Sequence, residues 1–251
     1  MIGSRGLHLG AGGRPDPGKW GRGGAVAVLA AGLFLLCGSA AAGPPAPGWQ
    51  TLSGRIEGVR GSSWRWAFDV AVDSRAVRIR VAVHPVAAGG VSRVELERAV
   101  QAWGPGVERI WSTGWAIETP DGRRRPVVLD LEFTPRGYHH EVVVSRSGGR
   151  VDQVHWRLGD GVPVIAHEVG HMLGLYDEYR GGAHVPGVPV DDPASVMASG
   201  GGRGAVRARH LERVLDWFRR HFGSEARLVP SGSGHGTVAR STHPFARWGE
   251  P

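Results

Sequence analysis

The chain has 251 residues, 41 of them glycine and one cysteine, and a formal net charge of +7 at neutral pH. That length supports one mid-sized hydrophobic core and excludes two full domains. The charge is scattered and carried by arginine, with Lys19 the only lysine. No basic run interleaved with aromatics marks a nucleic-acid surface, so no nucleic-acid partner is expected.

Residues 1–42 read as a secretory signal segment. Arg5, Arg14, Lys19 and Arg22 give a basic start, and Ala25 to Leu36 is an apolar run too short for a comfortable membrane span. Ala40-Ala41-Ala42 fits a cleavage signal, so a secreted protein starting at Gly43 is expected, without stable membrane association. An uncleaved N-terminal anchor is the alternative. Cys37 lies in this segment, which leaves the mature chain no disulfide and no thiolate-bound metal. It also excludes latency by a cysteine that caps the metal.

Residues 43–65 begin Gly-Pro-Pro-Ala-Pro-Gly and read as a linker or short prosegment. A single domain is expected over 66–222. Within 76–83, Val77, Ile79, Val81 and Val83 alternate with Arg78 and Arg80, the period of a half-buried strand, which His84-Pro85 should stop. Ser92 and Glu95 form a capping-box signature for a helix bearing Val94, Val100 and Trp103. Gly104-Pro105-Gly106 should break or kink it before Val107, Ile110 and Trp111. Short strands are expected at 115–117, 126–133, 140–145 and within 151–158. A helix over about 162–173 starts with Pro163, and 180–195 is a long Gly/Pro/Asp-rich loop. Residues 206–222 form an amphipathic helix with Leu211, Val214, Leu215, Phe218 and Phe222 inward, and Arg207, Arg209, Arg213 and Arg219 on its solvated side. Residues 223–251 read as a disordered basic Gly/Ser-rich tail.

The chemistry concentrates in His167-Glu168-Val169-Gly170-His171-Met172-Leu173-Gly174-Leu175-Tyr176-Asp177. Residues four apart share a helix face, so His167 and His171 can grip one metal ion. Glu168 then reaches a water on that metal as general base, and two His with a carboxylate form a ligand set typical of catalytic Zn²⁺. Gly174 can end the helix in a left-handed turn, so that the chain doubles back with Asp177 as third ligand. Glu178, His184 and Asp191 compete with Asp177 for that role, and Glu178 can instead bond a ligand histidine. His139, His140 and His155 are expected at surface or structural positions. Asp191-Asp192 offers oxygen ligands for Ca²⁺, but without the regular spacing of a calcium loop.

On His167, Glu168, His171 and Gly174 the chain resembles the metzincin zinc metalloproteases, and Asp177 in place of a third histidine makes it similar to their snapalysin-like type. Ser195-Val196-Met197 fits the Met-turn of that group, which implies that Met197 forms an apolar floor below the metal. The resemblance is specific over about 162–199. It implies an α+β fold with a small mixed twisted sheet, a long helix, the zinc-site helix, the Met-turn and a C-terminal helix. It also implies a zinc-dependent endopeptidase acting on protein or peptide substrates, expected as a monomer. Some metzincins carry a tyrosine two residues after the Met; here that residue is Ser199, so Tyr176, Tyr179 and His184 are the candidates for a transition-state donor. The strand at Val142–Val144, if it is the sheet edge, would hold the substrate by strand addition. A zinc hydrolase of another amide bond, such as one in the cell wall, and a non-catalytic metal-binding module remain alternatives.

Overall fold

The computed structural model describes residues 48–58, 62–184, 190–199 and 204–232. The expected signal segment and the tail beyond residue 232 lie outside these residues. The described chain is a mixed α+β fold: one curled eight-stranded sheet and three α-helices. Among the described residues no helix is long and apolar enough to cross a membrane.

The sheet grows around strand β3 (Val77–Ala87), whose Val77, Ile79, Val81 and Val83 are buried. On its other face Arg78 pairs with Asp73 and Asp130, and Arg80 with Asp69 and Glu132, so the charges are matched across neighbouring strands. Strand β1 (Gln50–Glu57) runs antiparallel to β2 (Ser63–Val72), and β2 pairs antiparallel with β3. The reading of 43–65 as linker is therefore corrected from residue 50 onward. The inward positions of β1 are Leu52, Gly54 and Ile56. The middle one is glycine because a Cβ there would lie 2.7 Å from the Trp66 ring, and this hides the period-two pattern.

Strand β3 does not stop at His84-Pro85. Thr134 N–H donates to the Val83 carbonyl and His139 N–H to that of Ala82, so odd residues of β3 point toward the strand built from 124–133. That strand ends opposite Val83, so Pro85 lacks its N–H on a side where no partner remains.

Helix α1 (Arg93–Trp111) opens with the Ser92–Glu95 capping box and passes through Gly104-Pro105-Gly106 without ending. Pro105 sits on the exposed side, where water can take up the carbonyl it frees. Gly106 is a point of close approach: a Cβ there would meet Val162 at 2.6 Å. Val100, Trp103, Val107 and Trp111 are buried, whereas Val94 is exposed.

Strand β4 (Trp115–Glu118) and β5 (Arg124–Phe133) follow, then β6 (His140–Ser145) and β7 (His155–Arg157). β5 and β6 both run parallel to β3, and β7 parallel to β6. Helix α2 (Val162–Met172) carries the histidine motif and packs on α1. Indole N–H groups tie these layers: Trp103 donates to the Asp160 carbonyl at 2.8 Å and Trp111 to that of Ala166 at 3.0 Å.

The expected helix over 206–222 begins later than its pattern implied. Ala208–Leu211 is a 3₁₀ turn and helix α3 is Glu212–Phe222, with Phe222 exposed rather than inward. The tail reading is corrected too: β8 (Arg227–Pro230) pairs antiparallel with β4.

Candidate metal centre

Helix α2 presents His167 and His171 side by side, with ring centroids 4.9 Å apart. Its C-terminus closes as a Schellman motif: Gly174, at φ +83°, donates to the His171 carbonyl, and Leu175 donates to that of Gly170. The chain then doubles back. Asp177 N–H donates to the Ala183 carbonyl at 2.8 Å, and Ala183 N–H returns a bond to Asp177 Oδ2 at 2.6 Å. Gly182 is needed here, since a Cβ would lie 2.5 Å from that of Asp177.

Both rings are oriented from behind. His167 Nδ1–H donates to the Val196 carbonyl at 3.2 Å and His171 Nδ1–H to the Leu175 carbonyl at 2.9 Å. A carbonyl only accepts, so each neutral imidazole turns its Nε2 lone pair inward. Asp177 Oδ1 lies 3.0 Å from His167 Nε2 and 3.4 Å from His171 Nε2. Three buried lone-pair donors thus face one another, an arrangement that a cation between them stabilises. His167, His171 and Asp177 form a group able to hold a metal ion. Two imidazole nitrogens and one carboxylate oxygen suit a borderline metal such as Zn²⁺.

Glu168 is buried beside this group, and its Oε2 has no hydrogen-bond partner. Burial pushes its carboxyl up to about 7; a protonated His167 would oppose this, and the charge of Asp177 adds to it. An orphaned buried carboxylate oxygen next to three converging ligands fits a site completed by a metal and its water.

The other candidates for third ligand are engaged elsewhere. Glu178 accepts from Arg209 at both carboxylate oxygens and bonds no ligand histidine. His184 Nδ1–H donates to the Gly182 carbonyl, and Asp191 is exposed. The Ca²⁺ reading finds no support: Asp192 is held by Arg207 and Arg209, and no second ligand group gathers among the described residues. Of the donor candidates, Tyr176 turns away to Trp64 and the Glu57 carbonyl. Tyr179 alone faces the ligands, its ring 6.3 Å from that of His167; burial, then the Asp177 charge, raises its phenol.

Met197 is fully buried beneath α2, and Gly170 is what admits it: a Cβ there would meet Met197 Sδ at 2.2 Å. Sequence reasoning gave Gly170 and Gly182 no role, although their place inside the motif and its return loop was a usable signal. It also missed Trp64, whose indole N–H donates to the His171 carbonyl at 3.1 Å and whose ring stands edge-on to that histidine. Nothing in residues 43–65 points to that contact. His139 and His140 are structural: His139 pairs with buried Asp69, and His140 Nε2–H donates to the Ala67 carbonyl. His155 is exposed and bonds Asp152.

The strand at Val142–Val144 is not a sheet edge, because β6 is paired with β3 on one side and β7 on the other. Nor is β7 open. Val154 and Leu158 bond toward β6, so His155 and Arg157 face outward. His155 exchanges both its backbone bonds with Asp152, Arg157 N–H donates to Asp160 Oδ2, and the Arg157 carbonyl accepts from Asp160 N–H. Every outward main-chain group of β7 is already satisfied. Comparison with protein-family models, curated proteins and solved structures finds no match for this chain.

Proposed function

We propose that this protein is a zinc-dependent endopeptidase of the metzincin kind, with Asp177 as third ligand, and that residues 1–42 direct its secretion. The observation that carries this reading is the convergence of His167 Nε2, His171 Nε2 and Asp177 Oδ1 beside a buried Glu168 carboxylate whose Oε2 has no partner. Met197 under the histidine helix and the mixed α+β architecture support it. When held by His167, His171 and Asp177, zinc would supply Lewis acidity, lowering the pKa of water to about 7 and polarising a substrate carbonyl.

The chain's own groups do the rest. Val196 and Leu175 carbonyls fix the two imidazoles in the tautomer that can ligate. Glu168 takes up a proton at Oε2 from the attacking water and delivers it to the leaving amine, a role open to a buried carboxylate whose Oε2 has no other partner. Tyr179, whose ring lies beside that of His167 and whose phenol bonds Asp177, is the candidate to donate a hydrogen bond as charge develops on the carbonyl oxygen. A protein or peptide substrate is the partner this chemistry requires.

The test is cleavage of casein or a peptide by the purified protein, with and without chelator, beside Glu168→Ala. The proposal expects loss in both cases; activity that survives both refutes it. One observation favours a second reading. The self-satisfied edge of β7 offers no ladder to an extended chain, so a compact amide substrate such as a cell-wall fragment fits as well. Turnover of peptidoglycan fragments but not of proteins would decide for that alternative.

A further inference from the structure

Asp177 reaches the histidines only through the 174–178 segment, which has no helix or strand of its own. Such a segment gains its order from what holds it, because each unrestrained residue regains backbone freedom. Two arginines four residues apart hold both of its ends. Arg213 Nη2–H donates to the Gly174 carbonyl at 3.2 Å, and its guanidinium lies over the Trp66 ring at 4.6 Å. Arg209 grips Glu178 through Nε and Nη2, both at 2.6 Å. This is a bidentate fork on the residue next to the ligand.

The grip extends to the Met197 turn. His210 Nδ1 accepts from Arg207 N–H, so its proton sits on Nε2, which donates to Glu178 Oε1 at 3.2 Å. Ser195 Oγ lies 3.3 Å from the same nitrogen and accepts from Met197 N–H. Glu178 N–H donates to the Met197 carbonyl, and Arg209 also reaches Asp192. The ligand segment and the floor of the site are therefore tied to one polar cluster, whose arginines, Arg207 and Arg209, cap and occupy the 3₁₀ turn before α3.

We infer that Arg209 and Arg213 are positioning residues for the metal centre: they brace the 174–178 segment from the C-terminal helical element and hold Asp177 toward His167 and His171. This rests on the metal-centre reading and adds to it a function for arginines that the amphipathic pattern assigned to solvent. The fork geometry matters as well as the charge, since lysine can make only part of the bidentate contact.

The experiment compares zinc dissociation constants, by chelator competition, for the full chain and for Arg209→Met, Arg213→Met, the double variant and Arg209→Lys. Arg220→Met, exposed on the same helix, is the control. The visible spectrum of the cobalt-substituted proteins reports ligand geometry, and urea unfolding of the metal-free proteins separates affinity from stability. Each Met variant should bind zinc roughly 10- to 100-fold more weakly, the range for groups that orient metal ligands. The double variant should be weaker still, Arg209→Lys intermediate, and Arg220→Met unchanged. Cobalt spectra that superimpose on wild type, with unchanged zinc affinity, overturn the inference even if metal-free stability has fallen. If Arg209→Met fails to fold, Glu178→Gln keeps the volume, weakens the same fork and carries the same two outcomes. A wild-type protein that takes up no stoichiometric metal overturns the metal centre itself, and the brace with it.

Discussion

Gly170→Ala sets two ordinary rules against each other. Within a helix, alanine is favoured over glycine by roughly 0.5–1 kcal/mol, so propensity alone predicts a gain. The packing predicts a loss. A Cβ at position 170 would stand 2.2 Å from Met197 Sδ, 3.0 Å from Met197 Cε and 3.2 Å from Trp111 Cζ2. Ordinary contact lies at about 3.5–4.0 Å, so the sulfur must retreat by more than about 1 Å. It has little freedom to do so. Met197 is fully buried, its N–H is bonded to Ser195 Oγ and its carbonyl to Glu178 N–H. Trp111 is buried too and tied to the Ala166 carbonyl. Overpacking of this kind costs about 1–3 kcal/mol, so a net destabilisation of up to roughly 2.5 kcal/mol is expected once the propensity gain is subtracted. Met197→Ala alone should cost about 2–5 kcal/mol through the cavity it leaves. Combined with Gly170→Ala it should cost less than the sum, because the new methyl enters that space. Urea unfolding of the four metal-free proteins measures the coupling. A Gly170→Ala protein at least as stable as wild type, or a coupling below about 0.5 kcal/mol, refutes the argument.

Two further predictions concern the ligand and the core. Asp177→Ala should lose stoichiometric zinc in metal analysis while Glu178, Arg209 and the fold around them persist; equal zinc in both proteins removes Asp177 from the ligand set. Burial depresses the His140 imidazole from 6.5 to about 4, with the nearby His139 adding to the effect. The unfolded chain then binds more protons between those values. The contribution of His140 is fully present above about pH 6.5 and is lost as pH falls toward 4. Between pH 7.5 and 5 this amounts to about 2 kcal/mol. His140→Phe leaves the Ala67 carbonyl without its donor and is less stable at neutral pH, but its unfolding free energy should fall less steeply on acidification. Parallel profiles for the two proteins would show that the proton uptake lies elsewhere.

The helices and parallel strands were legible because their patterns are local. Ser92 and Glu95 cap a helix by themselves, and Val77 to Val83 alternate whatever they pack against. Pro85 did not stop its strand and Pro105 did not end its helix, for one physical reason. Pro85 and Pro105 each remove a hydrogen bond, and the sequence cannot show whether a partner was waiting for it. In β3 the neighbouring strand has ended, and in α1 the freed carbonyl faces water. Strand β1 failed the other way: Gly54 makes room for Trp66, a contact made across the hairpin, so the residue that makes pairing possible erases the pattern that would announce it.

At the centre, the helical spacing of His167, Glu168 and His171 and the turn at Gly174 follow from backbone geometry, which is why the motif carried so far. What surrounds it follows from partners distant in sequence. An amphipathic pattern tells which face of a helix is polar; it does not tell whether that face meets water or another polar group. Arg209 and Arg213 fall on the polar side of their element by periodicity, yet one ends on Glu178 and the other on the Gly174 carbonyl and Trp66. The anion that should have raised the question was in view: Glu178, next to a ligand, is a carboxylate on a segment that must be buried to bring Asp177 inward. A buried carboxylate requires a cation, and with Lys19 the only lysine, that cation had to be an arginine or a protonated histidine. Beyond Arg180 and Arg203, the next arginines downstream, Arg207, Arg209 and Arg213, lie on the 206–222 element. Counting the charges that a buried ligand loop brings in with it, rather than sorting faces by polarity, is therefore the step by which sequence alone could have reached the brace.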